Sequence, residues 1–382
     1  ALGGATDIDG RYSLALPLTK DMVLVFSYVG MLTKEVVYVL ERQGFIRPHM
    51  ADENDKRTIY MVDMHEPLMF LHNLDTTIKE PFASNPAVLD AVEKNHKKLQ
   101  IAMTKLYPGN LVLSLSSGIM YHRLVDRITA LNDVPREPLV PRRLGKNMCV
   151  PFGKILRGKV VPNTVTKTLH TDKVYEPDLN SFTIEPFPYY SPLKSQIETI
   201  KSFDRPVILV DDLVHTANRL QVLVPQLRED GIPIKKVVVG VLSGYGRDLM
   251  QCLKVPVESI YSMPNLRQWF VESTLYPFIG GDTVRREEMK VAGLQPSINM
   301  ILPYATPRLS GCSREALVEF SACCIENSRD LFQVLEAEYR KMYAKNLTLS
   351  RLSEAVILPL CPDKGSCMEY DENLAASVYL EN

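Results

Sequence analysis

Two adjacent carboxylates, Asp211 and Asp212, stand at the end of an apolar, mostly β-branched run, Val207 to Val210. This composition predicts a buried strand. After a short polar turn, apolar residues recur at helical spacing from Leu220 to Glu229, and a second buried strand follows from Lys236 to Leu242. Such a unit predicts two parallel strands joined by a right-handed crossover. Because ligands bind outside the carboxyl ends of parallel strands, we expect a ligand site at the two acids.

The same segment resembles the phosphoribosyl-diphosphate (PRPP) motif of type I phosphoribosyltransferases. In that family an apolar strand is followed by two acids, three variable residues and then Thr-Gly-x-Thr. The chain matches the strand, both acids and Thr216. The resemblance implies that Asp211 and Asp212 hold the ribose hydroxyls. It also implies that the turn and the following helix N-terminus cradle the 5′-phosphate with backbone N–H groups. The residues of this predicted phosphate cradle are Thr216, Ala217, Asn218 and Arg219.

The motif departs from the family pattern at two positions. Ala217 stands where glycine is usual, and an alanine is strained wherever the turn needs a positive φ. Arg219 stands where threonine is usual, and its guanidinium can bind a phosphate directly. The alternative is a strand capped by aspartates that binds no ligand.

His215 and Asp212 are the candidate catalytic residues. In the 6-oxopurine members of the resembled family an acid lies near the acceptor base at the position of His215. A histidine with an ordinary pKa near 6.5 can serve there as a general acid or base. The alternative is that His215 only caps the loop.

A small-residue segment, Ser116-Ser117-Gly118, follows a predicted strand from Leu111 to Leu115 and precedes a helix from Ile119 to Leu131. Small residues let a backbone approach an anion closely. The resemblance implies that the N–H groups of Ser116, Ser117 and Gly118 bind pyrophosphate, because the first core strand of the family ends in such a turn.

Three further segments have both a ligand-binding and a purely structural interpretation. The interval from Arg157 to Asp178 corresponds to a mobile hood of the family that closes over PRPP, and Lys167 and His170 are the candidates to contact the ligand from it. The alternative is an exposed, threonine-rich hairpin. Trp269 or Phe270 would stack on the acceptor base, or pack in the core. Gly280-Gly281-Asp282 predicts a turn, with or without a ligand beside it.

A nucleoside-triphosphate loop is excluded. The segment from Gly153 to Lys159 has the spacing of such a loop up to its last position, where Val160 offers no hydroxyl for Mg²⁺. Pro162 would also fall inside the first turns of the required helix.

Composition indicates a globular protein with room for two or more domains. The chain has 382 residues, 46% of them apolar, and a net charge of −1 without a basic stripe, so we expect neither nucleic-acid binding nor a membrane span. The seven cysteines show no zinc-type spacing, so we expect no metal held by cysteine or histidine and a reducing, cytoplasmic location. Because the chain begins at Ala1, we expect a fragment or a processed product.

The N-terminal 40 residues differ from the rest. Thr6 to Pro17 and Leu24 to Met31 predict two strands around a polar turn. They resemble the carboxypeptidase-regulatory-like domain that precedes TonB-linked outer-membrane receptors, which conflicts with a cytoplasmic location.

Together these patterns predict an α/β protein with a parallel twisted sheet, flanking helices and a phosphoribosyltransferase-like core. We expect a β-rich appendage at 1–40, a linker with a lead-in strand and helix at 41–106, the core at 107–290, and a mainly helical region with a flexible tail at 291–382. The resemblance, which covers roughly residues 107 to 285, implies binding of a phosphorylated ribose with Mg²⁺ and 5-phosphoribosyl transfer to or from a nitrogenous acceptor. A non-catalytic nucleotide- or PRPP-sensing module and an interaction subunit of a larger protein are the alternatives. A homo-oligomer is compatible with the transferase and with both alternatives.

Overall fold

A computed structural model describes the backbone of Val25–Phe26, Ile46–Asp52 and Asp55–Val62, and residues 66–381 apart from 142, 157, 308, 310 and 364–368. The strands in chain order are β1 (Val25–Phe26), β2 (Ile46–Asp52), β3 (Asp55–Val62), β4 (Leu68–His72), β5 (Val112–Ser116), β6 (Met148–Pro151), β7 (Val165–Thr166), β8 (Thr171–Tyr175), β9 (Phe182–Pro186), β10 (Val207–Val214), β11 (Ile234–Ser243), β12 (Val257–Met263), β13 (Gln268–Val271), β14 (Asp282–Val284), β15 (Gln295–Ile298) and β16 (Leu360–Pro362). The α-helices are α1 (Pro86–Leu106), α2 (Ser117–Leu131), α3 (Leu193–Lys201), α4 (Asn218–Glu229), α5 (Gly244–Cys252) and α6 (Arg314–Tyr343).

The largest sheet has seven strands in the order β2-β3-β12-β11-β10-β6-β7. All neighbours pair in parallel except β2 and β3, which are antiparallel. The central strands β10 and β11 are continuous apolar runs because both of their faces are covered. On one face, α3, α4 and α5 pack over a buried cluster that includes Leu209, Leu223 and Val239.

A second, four-stranded sheet is parallel throughout, in the order β1-β5-β4-β13. Helix α2 lies between the two sheets. Its apolar face, including Leu124 and Ile128, shares one core with Met69 of β4 and Val238 of β11. Gly240 on β11 permits this close packing, since a Cβ there would overlap the side chain of Met120.

Helices α1 and α6 cover the outer face of the four-stranded sheet. Asn85 starts α1 by accepting hydrogen bonds from the N–H groups of Ala87 and Val88, with Pro86 at the first position. The two helices are joined by a reciprocal pair of amides, in which Asn95 and Asn327 each donate to the other's backbone carbonyl at 2.7 and 2.9 Å. A third sheet, in the order β16-β15-β14-β8-β9, completes the architecture.

The predicted α/β class, with parallel sheets flanked by helices and a C-terminal helix, is confirmed. The local predictions of β10 followed by α4, and of β11, agree with the observed elements to within a few residues. One local detail differs: β5 ends at Ser116 and α2 begins at Ser117, so no separate turn lies between them.

Near the two ends of the chain, short segments pair with or contact the core elements. The residues predicted as an N-terminal appendage lie outside the described residues, apart from Val25–Phe26, which pair with Val112 and Leu113 of β5. Towards the other end, where we expected a flexible tail, Ala376–Leu380 form a short 3-10 helix, and Ser377 donates a hydrogen bond to Glu336 of α6. None of the described helices is long and apolar enough to cross a membrane.

Candidate functional site

A cavity of about 780 Å³ opens where strands of the two parallel sheets end. Its walls come from the carboxyl ends of β4, β10 and β13, from the segment after β6, and from the third sheet. Strands of all three sheets therefore contribute side chains to one concave surface, which is the usual form of a small-molecule site.

The acids of β10 lie on the cavity wall. Asp211 is 4% exposed, and its Oδ1 accepts a hydrogen bond from the backbone N–H of Asp212 at 2.8 Å. Burial, and then the neighbouring Asp212 carboxylate, raise the pKa of Asp211 well above its ordinary value. Gly153, just beyond β6, lies directly against this carboxylate. The Asp211 carboxyl group is therefore held in place and largely shielded from water. It depends on hydrogen-bonding partners to satisfy its oxygens.

The turn after β10 leads straight into α4 and carries the strain expected at Ala217. Ala217 has φ 51° and ψ 21°, the left-handed conformation, and no side chain caps the helix that follows. The N–H groups at the start of α4 are thus available to an anion, where the helix dipole also favours negative charge. Arg219 lines the cavity nearby, with Nη1 3.9 Å from Asp211 Oδ2 and a buried Nε that has no partner among the described residues.

His215 is oriented by a neighbouring serine. Its Nδ1 lies 2.8 Å from the Oγ of Ser243, and the same hydroxyl accepts the N–H of Gly246 as the N-cap of α5. Because the hydroxyl already accepts one bond, its proton is free to point at Nδ1, which leaves the hydrogen on Nε2. Burial lowers the pKa of His215, so the imidazole is neutral near pH 7.

Cations reach the cavity from two other segments. Lys154 and Lys159 come from the loop after β6, and Lys173 comes from β8. Lys159 Nζ stands 4.2 Å from the ring centroid of Tyr121, and Lys173 Nζ donates to Tyr175 Oη at 2.5 Å. Lys154 has no ion-pair partner in the part of the chain that the structure describes, and Lys159 interacts electrostatically with the Asp75 carboxyl, which lines the same cavity.

The opposite wall is formed by β4, β13 and α2. Asn73 and Ser273 bind each other there through two hydrogen bonds of 2.8 and 2.9 Å, and Trp269 is half-buried on the same wall. Ser117 begins α2 at 5% exposure, and its Oγ has no hydrogen-bond partner among the described residues. This hydroxyl can therefore form a hydrogen bond with a molecule that enters the cavity.

The structure brings most of the predicted site residues together. Those that line the cavity are Asp211, Asp212, His215, Thr216, Ala217, Asn218, Arg219, Ser117 and Trp269, with Gly281 and Asp282 of the predicted turn. Ser116, Gly118, Lys167 and His170 do not line it. His170 instead stacks on Tyr190, with ring centroids 3.8 Å apart, and Lys167 donates its backbone N–H to Cys149 beside β6.

Sequence reasoning missed the lysines of the segment from Gly153 to Lys159. Their spacing resembles a nucleoside-triphosphate loop, and the sequence pattern gives them no other function. The exclusion of such a loop is consistent with the fold, since the described residues between β6 and β7 contain no helix. The useful signal was simpler: this segment follows the strand that pairs with β10.

A second cluster was also missed, on the other face of the four-stranded sheet. His72 ends β4, Glu272 follows β13, and His96 lies on α1; one ligand atom of each falls within 4.8 Å of the others. Burial, and then His96, lower the pKa of His72 well below its ordinary value. No local motif could have joined residues so far apart in the chain.

No protein-family model and no curated protein matches the chain. Among solved structures it is similar to a purine phosphoribosyltransferase from Pyrococcus horikoshii, at 14% identity, a TM-score of 0.24, and coverage of 41% of this chain and 87% of that one. A TM-score of this size carries no argument about fold or function. The resemblance of residues 1–40 to outer-membrane receptor extensions finds no support in these comparisons.

Proposed function

We propose that the cavity binds a phosphorylated ribose of the PRPP type and that the chain transfers its 5-phosphoribosyl group to or from a nitrogenous acceptor. The observation that carries this proposal is the meeting, in one cavity, of the β10 acids, the uncapped start of α4 and two lysines from the loop after β6. Each of these three features suits a different part of the ligand.

The acids suit the ribose. Asp211 and Asp212 offer carboxylate oxygens to two neighbouring hydroxyls, and such charge-assisted hydrogen bonds are strong and directional. The raised pKa of Asp211 reflects the lack of water around it, so hydroxyl donors from a ligand would satisfy it.

The start of α4 suits the 5′-phosphate. Its backbone N–H groups need an acceptor, and Ala217 holds the turn in the left-handed conformation that presents them. Arg219 adds a cation at the same place, supporting the view that it replaces the hydroxyl usual in the resembled family.

The lysines suit the diphosphate. Lys154 and Lys159 follow β6, the immediate neighbour of β10, and line the same cavity as the acids. We assign them the pyrophosphate-binding role, with Ser117 as a hydroxyl donor from the opposite wall. In this proposal Ser116 and Gly118, which do not line the cavity, support Ser117 and make no ligand contact themselves.

In the reaction, the bond from the anomeric carbon to the diphosphate oxygen breaks and a bond to the acceptor nitrogen forms. Pyrophosphate leaves with the bonding electron pair, and the acceptor nitrogen loses a proton. His215 is neutral near pH 7 and lines the cavity, so its imidazole is the candidate acceptor of that proton. Trp269 offers a ring face on which a planar base can stack.

A divalent cation fits this site. The lining has five carboxylates against four cationic side chains, so a diphosphate needs extra positive charge to enter. The five carboxylates are those of Asp75, Asp172, Asp211, Asp212 and Asp282, and the four cations are Lys154, Lys159, Lys173 and Arg219. Asp282 has no ion-pair partner among the described residues and would hold Mg²⁺ together with the ligand oxygens. When bound, Mg²⁺ would neutralise charge on the leaving diphosphate.

Calorimetry with Mg·PRPP tests the binding step. The double variant Lys154→Met with Lys159→Met should lose about 10-fold or more in affinity, since each lysine supplies a charged hydrogen bond. Lys194→Met, an exposed lysine outside the cavity, is the matched control and should bind like the wild type. No binding by the wild-type chain, or equal binding by all three proteins, would reject the proposal. Product formation with a panel of nitrogenous bases then tests the transfer step.

A non-catalytic sensor of PRPP or of a nucleotide is the second candidate. The strained Ala217 and the Arg219–Asp211 contact favour it, because both depart from the pattern of the catalytic family. Tight Mg·PRPP binding without product for any base would favour the sensor over the transferase.

A further inference from the structure

His72, His96 and Glu272 converge on one point behind the cavity wall. Nδ1 of His72 is 3.5 Å from Glu272 Oε2, and Nδ1 of His96 is 3.3 Å from Glu272 Oε1. The two imidazole ring centroids are 3.2 Å apart. Glu272 is 1% exposed, so a carboxylate and two imidazoles share a pocket that is almost free of water.

Each imidazole also has a second partner on its remaining nitrogen. Nε2 of His72 contacts the Oγ of Ser114, and Nε2 of His96 lies 2.8 Å from the side-chain amide of Gln100. The Gln100 amide in turn donates to Ser114 Oγ at 3.0 Å, which closes the ring of contacts. Both imidazoles are therefore locked in orientation, with Nδ1 directed at Glu272.

We propose that His72, His96 and Glu272 form a binding site for Zn²⁺. Ligand atoms around tetrahedral Zn²⁺ stand roughly 3.4 Å apart, given bonds of about 2.0–2.2 Å. Each Nδ1 lies at about this spacing from one oxygen of the Glu272 carboxylate, His72 from Oε2 and His96 from Oε1. One ligand atom from each of the three residues lies within 4.8 Å of the other two. Two nitrogens and one carboxylate oxygen suit Zn²⁺ better than Mg²⁺, which prefers oxygen ligands alone.

The surroundings match those of a metal centre. A ligating histidine usually donates its other ring N–H to a fixed acceptor, and Ser114 and Gln100 stand in those places. The amide of Gln100 needs only to rotate by half a turn to present its oxygen.

The site keeps one coordination position open. Three protein ligands are typical of zinc sites that also hold a water, whereas structural zinc sites usually have four. His72 is 15% exposed and Glu272 only 1%, so we place the open position on the side of His72. The site is separate from the cavity: Leu71 and Asn73, the chain neighbours of His72, line the cavity, and His72 does not.

Metal titration of the tag-free, chelator-treated chain tests the proposal. Calorimetry with Zn²⁺ should give one tight site, and Co²⁺ should give the visible absorption of a tetrahedral complex. Glu272→Gln and His96→Gln should each lower Zn²⁺ affinity more than 100-fold, and Ser114→Ala about 10- to 100-fold. His122→Gln, an exposed histidine outside the cluster, is the matched control and should bind like the wild type.

Wild-type affinity in both Glu272→Gln and His96→Gln, or no stoichiometric binding by the wild type, would overturn the proposal. If the variants fail to fold, anomalous diffraction at the zinc edge from wild-type crystals decides the matter. A peak about 2.0–2.2 Å from both Nδ1 atoms and the carboxylate supports the site, and its absence there rejects it. Neither outcome depends on PRPP binding, since every measurement uses the metal alone.

Discussion

Gly153 lies against the carboxylate of Asp211 so closely that a Cβ at residue 153 would overlap Asp211 Oδ1. Gly153 follows β6 and Asp211 belongs to β10, and these two strands are hydrogen-bonded neighbours. The missing side chain at one strand end is therefore what leaves room for the acid at the other.

Gly153→Ala should displace the Asp211 carboxylate and lower PRPP affinity about 10- to 100-fold, the range expected when a charged hydrogen bond is lost. Overpacking should also cost ~1–3 kcal/mol of stability. Calorimetry and urea denaturation measure the two effects.

A double-mutant cycle is the control for this prediction. In an Asp211→Ala background the space beside residue 153 is free, so Gly153→Ala should cost less stability than it does in the wild type. Equal costs in both backgrounds would mean that the two residues do not contact each other as described.

Asp211→Asn should abolish Mg·PRPP binding. The same substitution should stabilise the fold by about 1 kcal/mol at pH 7, because functional sites are often less stable than they could be. Burial and the Asp212 carboxylate raise the pKa of Asp211, so ionising this carboxyl above its ordinary pKa of 3.8 destabilises the folded state. The gain should therefore shrink as the pH falls through 3.8 and vanish below it, where the wild-type carboxyl is neutral in both states. Chemical denaturation at several pH values measures the change in stability. Asp248→Asn, which changes an exposed side chain of α5, is the control. A less stable Asp211→Asn variant at pH 7 would contradict the argument.

Arg219→Lys should weaken PRPP binding partially, and Arg219→Ala about 10- to 100-fold. A lysine keeps the charge and loses the planar fork with which a guanidinium binds phosphate oxygens. Arg247→Ala, an exposed arginine on α5, should bind as the wild type does. Equal affinity in the wild type, Arg219→Lys and Arg219→Ala would mean that Arg219 does not bind phosphate and serves only to contact Asp211.

His215→Ala should lower turnover ~10²–10⁴-fold with little change in PRPP affinity. Since burial lowers the pKa of His215, the wild-type pH–rate profile should have an inflection below 6.5, and the variant should lack it. Ser243→Ala removes the hydroxyl bound to Nδ1 and should give a smaller loss of turnover. A wild-type profile in His215→Ala would assign this residue to the loop structure alone.

The same lowered pKa makes a stability prediction that is independent of activity. Below about pH 6.5 the unfolded chain takes up a proton that the folded His215 resists. The free energy of unfolding should therefore decrease as the pH is lowered through that range, and it should decrease by less in His215→Ala.

The part of the fold and site that could be predicted from sequence is the part encoded locally. The apolar run of β10, the acids that end it and the helical spacing of α4 all lie within one short segment, and the structure keeps them together. Asn85 and Pro86 at the start of α1 are a local signal of the same kind, because a cap acts only on its own helix.

The rest depends on contacts between distant segments, which no local pattern encodes. Lys154 and Lys159 line the same cavity as the acids only because β6 pairs with β10. His72, His96 and Glu272 meet only because β4 pairs with β13 and α1 covers that sheet. The sequence around Trp269 is compatible with stacking on a ligand and with packing in the core. Its place on the cavity wall depends on the sheet to which β13 belongs.

The pairing of β4 with β13 also bears on how the chain folds during synthesis. The Asn73–Ser273 hydrogen bonds join residues 200 positions apart. At ~5–20 residues per second, β4 leaves the ribosome on the order of ten seconds or more before its partner exists. Through that interval one hydrogen-bonding edge of an apolar strand stays open to other chains. We therefore expect a nascent chain that stops before Gln268 to aggregate, and chaperones to act on this protein before β13 closes the sheet.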